Sequence, residues 1–167
     1  MRMSNCAGHV LATLLFLMMS LSSQAGDNVL SSEGGVLDGE EVILAIDLTN
    51  VDTVIGVQFD LMLPDGLYIQ TGEKGGCVCK ATARLKEMSV ISRRLESGRY
   101  RFLAFSMQCK PVQGTEGAII EIPLKKEASL PSGEYEVKAV GVSLSLLNTG
   151  NNMNYNHEDF TIPVVVK

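Results

Sequence analysis

The chain has 167 residues, with 14 Lys and Arg against 19 Asp and Glu, for a formal net charge of −5. That length suits one domain, and the acidic balance makes nucleic acid and anionic membranes poor partners. There is no Trp, and the only histidines are His9 and His157, so histidine-based catalysis and indole platforms have little to work with.

The N-terminus reads as an export signal. Arg2 precedes the apolar run VLATLLFLMMSL at residues 10–21, and Ser23-Gln24-Ala25 fits a small-x-small cleavage site. The run is shorter than the roughly 20 residues of a membrane span. Residues 1–25 are therefore expected to form a removable secretory leader, and residues 26–167 one secreted, periplasmic or cell-surface domain with no membrane span after cleavage. Cys77, Cys79 and Cys109 remain, an odd number for an exported chain. Cys77 and Cys79 are too close for an unstrained mutual bridge, so one of them with Cys109 is the expected pair if oxidised, Cys79–Cys109 being the candidate. A C-x-C with Cys109 and His157 could hold zinc or copper(I), but the spacing is unlike the usual C-x-x-C knuckle. Neither a metal nor a cofactor is expected.

Along the chain, period-2 alternation dominates. A short strand is expected near Val29-Leu30. In EVILAIDLT, residues 41–49, Val42, Leu44, Ile46 and Leu48 share one face. In VIGVQFDLML, residues 54–63, Val57, Phe59, Leu61 and Leu63 share one face and Gln58, Asp60 and Met62 the other, which makes Asp60 a solvated residue. The link at 50–53 is short enough to pair these two strands antiparallel. Pro64-Asp65-Gly66 then stops the second. Residues 72–76 (GEKGG) are loop, and 81–87 offer a helical turn without a cap.

Residues 88–106 read as a hairpin about Ser97-Gly98. Pairing across that turn sends Leu95, Ile91, Tyr100, Phe102 and Ala104 to the core, with Arg93 the exception. Arg94, Arg99, Arg101, Leu103 and Phe105 then lie on the opposite face. GAIIEIPL, residues 117–124, is a strand whose Pro123 suggests an edge or a strand end. EYEVKAVGV, residues 134–142, alternates; NTGNNMNYNHED, residues 148–159, reads as an Asn-rich loop; and FTIPVVV, residues 160–166, is a last strand. The sum is an all-β, single-domain β-sandwich or jelly roll of about nine strands, with no repeat and no linker.

Catalytic motifs are absent: no G-x-S-x-G, H-E-x-x-H, P-loop or G-x-G-x-x-G. Cys109 with His157 is the remaining thiol pair, and nothing in the sequence brings the two together. Asn and Asp oxygens in residues 148–159 could meet calcium, but the D-x-[DN]-x-[DN]-G pattern is missing. Tyr100 and Tyr135 are expected in the core, which leaves Tyr68 and the loop residues Asn152, Asn154 and Tyr155 as a candidate glycan site. Charge is segregated: residues 27–65 hold acids and no base, while Lys80, Arg84, Lys86, Arg93, Arg94, Arg99 and Arg101 crowd one stretch. This marks either solvated sheet edges or two faces with different partners. An apolar centre at Leu103 and Phe105 with an arginine rim of Arg94, Arg99 and Arg101 is how protein interfaces are composed.

The order of these strands carries a resemblance. A strand ending in T-N is followed by I-G-V-Q-F-D-L-M-L-P-D-G, G-R-Y-R-F-L-A-F-S, G-A-I-I-E-I-P-L, G-E-Y-E-V and F-T-I-P-V-V-V. Over residues 41–166 this resembles cohesin-like modules, secreted sandwiches related to one family of carbohydrate-binding domains. The resemblance implies a nine-stranded jelly roll without enzyme activity. It further implies a module that binds a dockerin-like protein through one flat sheet face, in assemblies that degrade polysaccharide. The expected partner is thus another secreted or surface protein, with a glycan as the alternative.

Overall fold

A computed structural model describes residues 27–148 and 151–167, with backbone alone for 148 and 151–156. The expected leader, residues 1–25, lies outside the described residues. Two sheets pack face to face. The first runs β1 (Val29–Ser31), β3 (Glu41–Thr49), β9 (Ala118–Lys126), β5 (Leu67–Ile69), with β6 (Lys80–Ala81) also on β9. The second runs β2 (Gly35–Leu37), β12 (Phe160–Val166), β10 (Gly133–Asn148), β4 (Val54–Met62), β8 (Tyr100–Phe105), β7 (Ser89–Arg94), with β11 (Asn151–Asn156) also on β10. The described residues thus form the expected all-β sandwich, with several short strands (β1, β2, β5, β6) beside the long ones.

Alternation builds the core. Leu44, Ile46 and Leu48 of β3 and Ile120, Ile122 and Leu124 of β9 pack in one cluster with Val57, Phe59 and Leu61 of β4 and Val137, Ala139 and Leu144 of β10. Phe59 pairs directly with Phe102 of β8, their rings stacked 5.2 Å apart. Such a buried ring contributes several kcal/mol through removal of apolar surface from water, about 25 cal/mol per Å².

Strands β3 and β4 do not form the expected antiparallel pair. Each belongs to a different sheet, because both inner faces are fully buried and the short link crosses the sandwich end between them. Side chains hold that crossing. Asn28 Oδ1 accepts from the N–H groups of Val51 and Asp52, both at 3.1 Å, and its amide donates to Asp52 at 2.7 Å. Asn50 donates to the Asp52 carbonyl at 3.0 Å. Asx side chains replace the ladder partners that the crossing backbone lacks.

The hairpin of β7 and β8 forms, but one residue out of the expected register. Leu95 N–H donates to Arg99 O at 2.7 Å and Gly98 N–H to Leu95 O at 2.9 Å. The loop therefore has three residues, Glu96 to Gly98, and closes on Gly98 at φ 81, a conformation glycine adopts without strain. Ile91 now opposes Leu103, Arg93 opposes Arg101, and Arg94 opposes Tyr100. A slip of one residue turns a whole strand over. Ile91 and Arg93 face outward, against expectation, and Arg94 leaves the outer face.

Three smaller differences follow from local chemistry. Pro123 lies inside β9 rather than at its end, in the interval between β5, which pairs residues 124–126, and β6, which pairs residues 120 and 121. The turn at 81–87 is a 3-10 helix, Ala83–Leu85, and it does have a cap: Thr82 Oγ1 accepts from Arg84 N–H at 3.3 Å. Much of the expected Asn-rich loop is strand β11, paired with residues 143–148 of β10. There β10 bulges at Gly141, φ 61, whose N–H is taken by the Asp159 carboxylate at 2.8 Å. Asp159 therefore serves the backbone.

Candidate interaction face

The outward side of the seven-stranded sheet is a grid set by its registers. One row joins Ser145 of β10, Gly56 of β4, Phe105 of β8 and Ser89 of β7. The next joins Ser143, Gln58, Leu103 and Ile91. The third joins Val140, Asp60, Arg101 and Arg93. Beyond it, Lys138 opposes Met62, and Arg99 follows one step past the β4–β8 ladder. Leu103 and Phe105 are half-buried, while Ile91 is 51 % and Met62 44 % exposed. No neighbouring element among the described residues pairs over these rows. Gly56 leaves a shallow place beside Phe105, where a Cβ would already stand 3.1 Å from Ser145.

Asp60 is not the solvated residue expected. It is 3 % exposed, although it sits on the outward side. Arg101 closes over it, donating from Nε to Oδ1 at 2.7 Å and from Nη2 to Oδ2 at 2.9 Å. Arg99 adds an ion pair at 3.7 Å. Paired two-point contacts of this kind are the strong form of the guanidinium–carboxylate interaction. The hydrogen bond to Asp60 and its charge hold the Arg101 guanidinium above its ordinary range, against a smaller desolvation effect. Arg93 and Lys138 have no ion-pair or side-chain hydrogen-bond partner among the described residues.

A cleft of about 750 Å³ opens at one end of the sandwich, between the Pro64-Asp65-Gly66 turn and the hairpin loop. Tyr68 of β5 lines it together with Arg94, Arg99 and Tyr100. Tyr68 is 38 % exposed, and Arg94 lies over the Tyr100 ring at 5.6 Å. Two residues expected to serve different ligands, Tyr68 and Arg94, thus share one cleft. Tyr100 is buried, and Tyr135 packs on the core while its hydroxyl donates to Pro131 O at 2.9 Å. The side chains of Asn152, Asn154 and Tyr155 lie outside the described residues.

The cysteines do not form the expected Cys79–Cys109 bridge; Cys77, Cys79 and Cys109 are free thiols. Cys79 is held at the inner side of β7, where its thiol contacts Ser92 Oγ at 3.7 Å, and Ser92 donates to Cys77 O at 3.0 Å. Cys109 sits in an exposed turn beyond β8, at φ 54. Burial, reinforced by Cys79, pushes the Cys77 thiol up to about 11, and burial raises Cys79 as well. Such thiols are poor nucleophiles and poor metal ligands at neutral pH. Among the described residues, no group of three or more His, Cys, Asp or Glu side chains comes together to hold a metal.

Arg84, one of the crowded bases, is half-buried and folded back onto the backbone. Its guanidinium donates to Leu48 O and Gly117 O at 2.5 Å, to Gln113 O at 2.7 Å and to Asn50 Oδ1 at 2.7 Å. It ties the 3-10 helix to the end of β3 and to the chain entering β9. The basic stretch therefore splits into an internal clamp, a cleft residue and an exposed face.

Among solved structures, the chain matches the seventh ScaB type I cohesin from Pseudobacteroides cellulosolvens with a TM-score of 0.66 at 19% identity, over 83% of this chain and 90% of that one. The sixth cohesin of Acetivibrio cellulolyticus scaffoldin B, solved in complex with a Cel5 dockerin, matches at 0.64 and 12% identity, over 85% and 100%. The fold is cohesin-like. A non-cellulosomal cohesin from the archaeon Archaeoglobus fulgidus matches at 0.61 and 11%, over 84% and 92%, so the cohesin-like core is shared across widely divergent sequences. No protein-family model matches the chain, and no curated protein does.

Several residues of the face escape a sequence reading. Ile91 and Arg93 depended on the hairpin loop length, and Met62 read as an ordinary outward position. Asp60 could have been found from its cross-strand partner Arg101 once the β4–β8 register was known.

Proposed function

We propose that the chain is a secreted, non-catalytic module that binds another protein through the outer face of its seven-stranded sheet. The observation that carries this reading is the flat grid around Leu103, Phe105 and Ile91. These apolar side chains are left partly open in a sheet whose other face is fully packed. Arg101, held rigid by Asp60, and Arg99 supply a polar margin, the composition that favours a dry interface centre. The cohesin-like fold supports the same reading, since cohesins among its neighbours were solved in complex with dockerins. A dockerin-like partner and a role in extracellular polysaccharide handling belong to this proposal, as does export by the leader at residues 1–25.

The test is affinity capture from the host's secreted fraction with the wild-type protein, Leu103→Asp and Phe105→Asp, after thermal unfolding has shown that the variants fold. Loss of the captured protein with both variants is the expected result. Equal capture overturns this face as the site.

A second reading has its own observation. The end cleft joins an exposed Tyr68 to Arg94 and Arg99 in a space of the size that small ligands use, which suits a glycan that stacks on the phenol. Tyr68→Ala should then weaken glycan-array signals; an array without signals removes the reading.

A further inference from the structure

We propose that the outer face of the seven-stranded sheet takes an acidic protein segment, its carboxylates meeting Arg93, Arg99 and Lys138 while its apolar side chains meet Leu103 and Phe105. This rests on the reading that the face is a docking surface, and it specifies the chemistry of what docks.

The charge on the face is unbalanced. Arg93, Arg99, Arg101 and Lys138 stand against Asp60 at the centre of the grid and Asp159 beside Lys138 and Val140, whose carboxylate already accepts from Gly141 N–H. The acids Glu134 and Glu136 sit at its far edge, where β10 pairs with β12. Moreover, the one central acid is already used. Both Asp60 oxygens are engaged by Arg101, and the residue is 3 % exposed. A basic partner would find no carboxylate to meet there and would bring its charge against four cations.

The register adds a second argument. Arg93 and Arg101 are directly opposed across the β7–β8 ladder. Like charges in that position destabilise a sheet. Asp60 relieves Arg101 but lies two strands away from Arg93, with β8 between, and Arg93 has no ion-pair or side-chain hydrogen-bond partner among the described residues. An incoming carboxylate between Arg93 and Arg101 relieves a repulsion that the fold itself leaves standing. The overall charge of −5 sharpens the contrast: a cationic field confined to one face of an acidic protein orients an anionic partner as it approaches.

The occupant is a protein segment rather than an anionic polysaccharide because of the adjoining rows. Leu103, Ile91 and Phe105 lie beside the cations, and Gly56 flattens the ground next to Phe105. A polymer of charged sugars offers only the C–H faces of its rings to these side chains, whereas a helix with Leu and Glu along one side inserts aliphatic side chains and covers both halves.

Full-length protein titrated against a labelled helical peptide with Leu and Glu on one face, and against matched peptides with Gln or Lys in place of Glu, provides the test by fluorescence anisotropy. The expected result is binding about tenfold tighter for the Glu peptide than for the Lys peptide at low ionic strength. That gap should narrow as salt rises and the Debye length falls below about 8 Å. Arg93→Glu combined with Lys138→Glu should invert the preference, with Asp60 and Arg101 themselves kept in place. Equal or tighter binding of the Lys peptide overturns the proposal, as does no binding of any peptide. Heparin displacing the Glu peptide from Phe105→Asp as well as from the wild type overturns it in favour of an anionic glycan. Concentration-dependent self-association that Arg93→Glu abolishes, without peptide binding, overturns it in favour of a second copy of the chain. Phe105→Asp separates the two readings. If it abolishes binding while Glu and Lys peptides bind the wild type alike, the docking face stands and the acidic partner falls. If it changes nothing while Arg93→Glu abolishes Glu-peptide binding, the charge preference stands and the apolar docking centre falls.

Discussion

The two outer faces of the sandwich use the same ion-pair chemistry to different ends. On the five-stranded sheet, Lys80 meets Glu121 at 3.0 Å and Lys125 meets Glu41 at 3.8 Å, both across directly paired strands. All four side chains keep contact with water, from 27% exposure at Lys125 to 77% at Lys80. On the seven-stranded sheet the Asp60 side chain is 4% exposed beneath Arg101 and Arg99. The first face is balanced and solvated; the second has its one central carboxylate sealed and cations left over. Exposed pairs contribute little because water and salt screen them. A sealed carboxylate instead fixes the guanidinium above it, so that geometry and residual charge become properties of the face.

That contrast can be broken experimentally. The largest effect is expected for Asp60→Ala, which strands Arg101 over an apolar sheet and should cost about 1–3 kcal/mol in urea unfolding. A loss no greater than that of an exposed pair would make the two faces equivalent. Next, Asp47→Asn on the outer side of β3 should raise stability at neutral pH. Burial first, and Glu33 second, raise the Asp47 carboxyl above its ordinary value, against an opposing effect of Arg84. Because the folded chain then holds the proton more tightly than the unfolded one, stability falls as pH rises from the unfolded pKa through the folded one, and stays lower above it. Asn removes that penalty, so the gain should vanish on acidification below the ordinary carboxylate range; a gain that persists there would assign the effect to packing instead. The smallest effect is expected for Glu121→Ala, within about 0.5 kcal/mol in the same unfolding assay.

Much of the scaffold was legible because burial enforces alternation. Phe59, Leu61 and Val57 could only face inward, and Gly66, at φ 87, does close the expected turn after β4. The sheet assignment of β3 and β4 was not legible, since four linking residues serve a hairpin or a crossing equally and the choice lay with distant Asn28. The face of β7 was lost for a different reason. Its residues are amphipathic enough for either side, so the loop alone decided, and a three-residue loop with glycine last looks like a two-residue turn in one dimension. Asp60 was misread because outward position was equated with solvation, whereas a neighbouring guanidinium can exclude water as well as a hydrocarbon does.

Strand β2 runs parallel to β12, with Gly35 beside Val164. The second and the last strands of the described residues are thus neighbours in one sheet, and a parallel pair of this kind cannot be made by a local turn. Contacts of such long sequence separation delay folding, because the loop must be closed before they return any energy. For a chain emerging from a ribosome, the seven-stranded sheet can be completed only after β12 has arrived. Until then β2 has no edge to join, and the edge of β10 that takes β12 stays open over residues 133–139. Late closure leaves the order of folding to the order in which β2 and β12 become available to each other.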